Sequence, residues 1–134
     1  MSRLSTLSRS IDGKVAIVTG AASGMGRATA HLFSDEGARV VVADLGADRV
    51  AAVVDEIREA HGVERALGIE CDVADHAQLR RMVEATVQQF GRLDIVVNNA
   101  GVSLINSAFQ PEDEFEANWA TTLDINLTAH ARLT

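Results

Sequence analysis

The chain is 134 residues long, 47% hydrophobic and 23% charged, a composition that suits one globular domain with its own core. A formal net charge of −7 argues against nonspecific nucleic-acid binding, and no apolar run approaches the roughly 18 residues of a membrane-spanning helix. Cys71 is the lone cysteine, so no intrachain disulfide can form; this suits a reducing cytoplasm and a small buried hydrophobe at that position.

Residues 1–10, rich in Ser and Arg, read as a polar tail. Val15-Ala16-Ile17-Val18 is the first expected strand, apolar throughout as in a parallel strand covered on both faces. A helix follows, with Met25, Ala28, Leu32 and Phe33 on one stripe and Gly37 as its stop. Val40-Val41-Val42-Ala43 is a second covered strand. Val50, Val53, Val54 and Ile57 mark a second helix, opened by Asp48 and closed near Gly62. Residues 66–72 alternate, with Leu67, Ile69 and Cys71 on one face and Gly68, Glu70 and Asp72 on the other, a period of two that suits an edge strand.

A third helix carries Leu79, Met82, Val83, Val87 and Phe90. Asp75 with Gln78 opens it in the manner of a capping box, and Gly91 ends it. Residues 93–97 form a fourth apolar strand, expected to be covered on both faces like the first two. Pro111 then starts a fourth helix whose first turn holds Glu112, Asp113 and Glu114, favourable near the positive end of the helix dipole. Phe115, Trp119, Thr122 and Leu123 share one face of it, and Asn126 is expected on the same core-facing stripe. Residues 127–134 keep helical spacing with no Gly, Pro or cap to end it, so the chain is expected to be cut inside a helix.

Strand and helix alternate at short spacing, the mark of βαβ units. The expected fold over residues 11–134 is α/β: a Rossmann-type doubly wound parallel sheet of strand order 3-2-1-4, truncated before any later strands. Right-handed crossovers place the first two helices on one face and the third and fourth on the other. Ligands bind such sheets at the carboxyl ends of the strands, beside the switch between the first and fourth. His31, His61, His76 and His130 fall at no metal-ligand spacing, and no metal site is expected.

Thr19-Gly20-Ala21-Ala22-Ser23-Gly24-Met25-Gly26 lies between the first strand and its helix. Gly20 can take the positive φ of a tight turn, Gly24 lets backbone approach a pyrophosphate, and Gly26 lets the helix pack closely on the sheet. Amides at the helix start face the anion, and Ser23 stands where a cap belongs. Asp44 ends the second strand, at the position of an acid that bonds the adenosine ribose; alone, it is also compatible with an exposed strand-end residue. A carboxylate there repels the extra phosphate of NADP, and neither Leu45 nor Ser23 offers a neighbouring positive charge to offset it. NAD is the expected cofactor and NADP the less favoured one.

Residues 19–26 resemble the Thr-Gly-x-x-x-Gly-x-Gly motif of the short-chain dehydrogenase/reductase family, and Asp12-Gly13-Lys14-Val15 is similar to its usual entry. Cys71-Asp72-Val73 resembles the acidic end of the third strand that bonds the adenine amino group in that family, although Asp72 alone also reads as a turn-forming carboxylate. Asn98-Asn99-Ala100-Gly101 resembles the motif that steadies the central sheet and lines the cofactor cleft. Asp124-Ile125-Asn126-Leu127 is similar to the segment whose asparagine helps organise a proton relay; by position alone Asn126 is equally a structural amide bonded to backbone. Ala129 departs from the glycine common there.

The resemblance implies an oxidoreductase that moves hydride between a nicotinamide and an alcohol or carbonyl compound, as a homo-oligomer when complete. The family's chemistry also uses a serine and a Tyr-x-x-x-Lys pair. This sequence has no tyrosine, its only lysine is Lys14, and Ser103 and Ser107 precede the fourth helix rather than following it. The chain is therefore expected to be catalytically incomplete. The alternative is a dinucleotide-binding or regulatory module that never carried those residues. A Rossmann methyltransferase fits poorly, because it uses a different glycine spacing.

Overall fold

The computed structural model describes residues 8–104 and 106–134. Of the polar tail expected over residues 1–10, only Ser8, Arg9 and Ser10 fall within them, and all three are exposed.

Four parallel strands, β1 (Val15–Thr19), β2 (Arg39–Asp44), β3 (Ala66–Glu70) and β4 (Ile95–Val97), form one sheet in the order β3-β2-β1-β4. Ile17 pairs with Val41 on one side and Val96 on the other. β1 is buried along its whole length. Because alternate residues of a strand face opposite ways, Val18, Val40 and Val42 enter one core while Ile17, Val41 and Ala43 enter the other.

The first core is closed by α1 (Gly24–Asp35) and α2 (Ala47–His61), and the second by α3 (His76–Phe90) and α5 (Ala129–Leu133). This is the expected doubly wound arrangement. α2 buries the anticipated Val50, Val53, Val54 and Ile57, starting from Gly46 rather than Asp48. A short 3-10 turn, Val63–Arg65, leads into β3. Gly68 of β3 faces Val50 and Val54, and Leu67 and Ile69 join the opposite core, as the alternation predicts.

Several expectations are corrected. α1 buries Gly26, Ala30 and Ser34, whereas Met25 is 80% and Leu32 56% exposed. Small residues, not the bulky stripe, let this helix lie close on the sheet. A Cβ on Gly26 would overlap the Gly20 carbonyl oxygen. In α3 the buried face takes Thr86, whose hydroxyl donates to the Met82 carbonyl, in place of the exposed Val87. Asp75 caps α3 by accepting from the Ala77 and Gln78 amides, while Gln78 reaches back to accept from Asp72 N–H.

β4 spans three residues and is half-buried, because it lies at the sheet edge and pairs with β1 alone. The largest departure is α4 (Glu112–Leu123), which Pro111 caps and which buries no residue. Phe115 and Trp119 stack with centroids 6.4 Å apart, and both remain substantially exposed. Their stripe is not core-facing. A wide π-helical turn, Asp124–Thr128, separates α4 from α5; its Ile125 packs, partly buried, against the second core, and α5 reaches that core through Ala129 and Leu133.

Candidate active site

At the carboxyl ends of β1, β2 and β4 the loops enclose a cleft of about 340 Å³. Its first wall is the glycine turn. Gly20 (φ +65°) and Gly24 (φ +54°) both adopt the left-handed conformation that favours glycine. A Cβ on Gly20 would meet Ala100 Cα at 2.9 Å, whereas one on Gly24 would project into open space. Glycine at 20 thus serves both turn and contact, and glycine at 24 keeps the cradle clear. Ser23 is the N-cap residue of α1 but makes no side-chain cap. The Ser23 carbonyl accepts the first helical bond, from Arg27 N–H, and without a side-chain cap the first-turn amides stay open, as at an anion-binding helix start.

The second wall is the end of β2. Asp44 Oδ2 accepts Ala22 N–H at 3.0 Å and Oδ1 accepts Leu45 N–H at 2.8 Å. The carboxylate is thereby tied to the glycine turn and shares its cleft. One expectation fails here: a positive group does sit beside Asp44. Arg49 Nη2, from the first turn of α2, lies 3.8 Å from Oδ1. Sequence adjacency could not reveal it, since α2 folds back over the strand end.

The third wall is the loop after β4. Thr19 Oγ1 accepts both Asn99 N–H (3.1 Å) and Ala100 N–H (3.0 Å), and Asn99 Nδ2 donates to the Thr19 and Gly20 carbonyls. Farther along, Asn126 Nδ2 donates to the Val102 carbonyl at 2.7 Å and Oδ1 accepts Val102 N–H at 2.8 Å. His130 Nε2 lies 3.2 Å from the Ala100 carbonyl. Asn126 therefore holds the loop through both polar groups of one residue, the backbone-bonded reading of its amide.

Asp72 and Val73 line the floor below β3, where Asp72 Oδ1 accepts Ala74 N–H in a turn. Cys71, also in the lining, is 2% exposed, and burial beside the carboxylates of Asp72 and Asp75 pushes its thiol up to about 11. It is an inert apolar filler at neutral pH. Among the described residues no His, Cys, Asp and Glu cluster could hold a metal ion.

Of the residues singled out from sequence, Gly20, Ser23, Gly24, Met25, Asp44, Leu45, Asp72, Val73, Asn99, Ala100 and Gly101 all line this one cleft. Gly26 lies behind it as a packing residue, and Asn126 stands behind the loop it grips. Cys71, Val102 and Ile125 complete the lining, of which Cys71 and Ile125 were not anticipated as site residues. Ile125 stood in the sequence only within the Asp124-Ile125-Asn126-Leu127 segment, with no signal that a wide turn would bring it to the cleft.

The sequence model of the short chain dehydrogenases matches residues 14–134. The chain belongs to the short-chain dehydrogenase family. It is 42% identical over 118 residues to the D-threitol dehydrogenase of Mycolicibacterium smegmatis, covering 88% of this chain and 44% of that protein. It is also 42% identical over 119 residues to human 15-hydroxyprostaglandin dehydrogenase [NAD(+)], covering 89% and 41% respectively. A short-chain dehydrogenase/reductase of Burkholderia phymatum, solved in complex with NAD, superimposes with a TM-score of 0.83 at 32% identity, over 92% of this chain and 42% of that one. The chain thus spans less than half the length of these relatives. The glycine turn, Asp44 and the loop through Asn99, Ala100 and Gly101 surround one opening, whose free helix-start amides, carboxylate and clear space at Gly24 are groups that fit a dinucleotide.

Proposed function

We propose that this chain is the cofactor-binding part of an NAD-dependent oxidoreductase acting on a small alcohol or carbonyl compound. One observation carries the reading: Asp44 accepts the Ala22 amide, so the acid and the open helix start share one cleft. Gly20, Ser23, Gly24, Met25 and Gly26 form the diphosphate side. Asp44 and Leu45 take the adenosine ribose, Asp72 and Val73 the adenine edge, and Asn99, Ala100 and Gly101 the nicotinamide side. When bound, the nicotinamide accepts or supplies the hydride. The relatives' names, a D-threitol dehydrogenase and an NAD(+)-dependent 15-hydroxyprostaglandin dehydrogenase, support both the substrate class and the cofactor.

Asn126 acts here by positioning. It fixes Val102, and through it the loop that borders the reacting face, and in the complete protein it helps organise the proton relay. The sequence has no tyrosine to serve as the general acid/base. The chain alone is therefore expected to bind NAD without turning over any alcohol. The exposed Phe115–Trp119 face of α4 supports the expectation of a homo-oligomer. The buried free thiol of Cys71 suits the cytoplasm, and no helix among the described residues is long and apolar enough to cross a membrane.

Calorimetric titration tests the reading. NAD is expected to bind, and Asp44→Ala to weaken it about tenfold, the loss of one charge-assisted bond to a sugar hydroxyl. Absence of heat with either nicotinamide dinucleotide on folded protein would end it. The alternative, a non-catalytic binding module, is favoured only by the missing tyrosine. It predicts that NAD binding persists while no longer form of the protein reduces NAD with any alcohol.

A further inference from the structure

Asn126, His130 and Thr134 follow one another at intervals of one helical turn, and so share a stripe of the helix that runs from the π turn through α5. Their partners fall on alternate residues of the loop after β4, in reverse order. Asn126 holds the Val102 amide and carbonyl, His130 Nε2 lies 3.2 Å from the Ala100 carbonyl, and Asn98 Nδ2 donates to Thr134 Oγ1 at 3.3 Å. The spacings agree because four helical residues climb about 6 Å, while two residues of open chain reach at most about 7 Å. Helix and loop are thus joined antiparallel by a ladder of polar rungs. Ala129 and Leu133, beside that stripe, are buried and seat the helix.

The middle rung fixes something its neighbours do not. Ala100 N–H donates to Thr19 Oγ1, so with the carbonyl taken by His130 both backbone groups of Ala100 are held, one from β1 and one from α5. A carbonyl only accepts, so the ring carries its bonding proton on Nε2. Across a trans peptide the C=O and the next N–H point opposite ways. Drawing the Ala100 carbonyl toward α5 therefore turns Gly101 N–H away from it. Gly101 lines the cleft, and its N–H has no protein acceptor among the described residues. Glycine offers little resistance to a rotated peptide, so this orientation has to be imposed by a neighbour.

Resting on the dinucleotide reading of the cleft, we propose that His130 is a positioning residue that sets the Ala100–Gly101 peptide and keeps the Gly101 amide turned to the nicotinamide half of the cofactor. Asn126 and Thr134 hold the ladder in register. His130 aims the one peptide in it whose N–H is left for a ligand oxygen.

The test is calorimetric titration of the full chain with NAD and with ADP, which keeps the adenosine and diphosphate but lacks the nicotinamide riboside. The variants are His130→Ala, His130→Gln and His130→Asn. The amide nitrogen of Gln reaches the place of the ring Nε2, whereas that of Asn stops at the place of Nδ1. His130→Ala and His130→Asn should weaken NAD about fivefold, the worth of one hydrogen bond, and leave ADP within about twofold of the parent. His130→Gln should recover most of the NAD affinity. If His130→Ala does not fold, Gln against Asn decides. An equal loss of NAD and ADP, NAD affinity unchanged in His130→Ala, or Gln no better than Asn overturns the role of His130 and leaves the cofactor reading standing. A parent that binds neither NAD nor ADP overturns both.

Discussion

The two turns that meet at the cleft are held by opposite means. The glycine turn springs from β1, buried along its whole length, and runs into α1, whose small residues press on the sheet. The loop after β4 springs from a three-residue, half-exposed edge strand and returns through α4, which buries nothing. Packing positions the first turn. Side-chain hydrogen bonds position the second: Thr19 Oγ1, the Asn99 amide and the Asn126 clamp hold backbone groups that no surrounding core could hold. A loop beside a substrate gains from this, because a few polar bonds fix one path without committing the surface around it to a core.

The comparison is most easily broken from the packed side. Gly26→Val forces a side chain into the Gly20 carbonyl, where only backbone could yield. It should cost about 3 kcal/mol or more in urea unfolding and abolish dinucleotide binding. A loss under about 1 kcal/mol would mean that α1 can lift away freely.

Thr19→Val tests the bridge between the two sides. It keeps the shape of a buried residue but strands the Ala100 amide and leaves Asn99 N–H with the Val97 carbonyl alone, and should cost about 1–2 kcal/mol. Hydrogen exchange should quicken at Asn99 and Ala100 more than at Val18 or Val42.

Asn126→Ala sharpens the contrast from the polar side. Its two bonds are solvent-exposed, so the expected cost is about 1 kcal/mol, with faster exchange at Val102 N–H and little change in α1. Uniform exchange through the loop would show that the clamp is not what orders it.

The smallest effect expected is a pH dependence at the start of β1. Arg92 first, then Val15 N–H, hold the Asp94 carboxyl below its ordinary value. The stability this lends is full above the ordinary carboxylate value, and it is lost as pH falls through the lowered one. Thermal unfolding should therefore show the parent losing stability below about pH 4. Asp94→Asn should start less stable and flatten that slope.

Much of this was legible because it is local. Runs such as 40–43 are valine-rich enough to read as a covered parallel strand, and Gly20 and Gly24 mark left-handed turn positions wherever they fall. Asp44 could be placed by its distance from the glycines. The misreadings share a cause, which is that residue size was taken for burial. Met25 and Leu32 outrank Ala30 and Ser34 in hydrophobicity, yet close approach to a sheet selects the small pair. The stripe of Phe115 and Trp119 has the spacing of a core face, and spacing carries no information about what is opposite it. Arg49 was hidden for another reason: its partner is a strand end that only the chain reversal into α2 brings near.

The wide turn at Asp124–Thr128 makes the chain intolerant of length changes there, although most of its residues face solvent. An α-helix advances about 100° per residue. Deleting a single residue from this turn would restore an ordinary helix and swing everything beyond it around the axis by that amount. Ala129 and Leu133 would leave the sheet, and His130 would lose the Ala100 carbonyl. The extra residue works as a phase lock between a helix that ignores the sheet and one that must meet it.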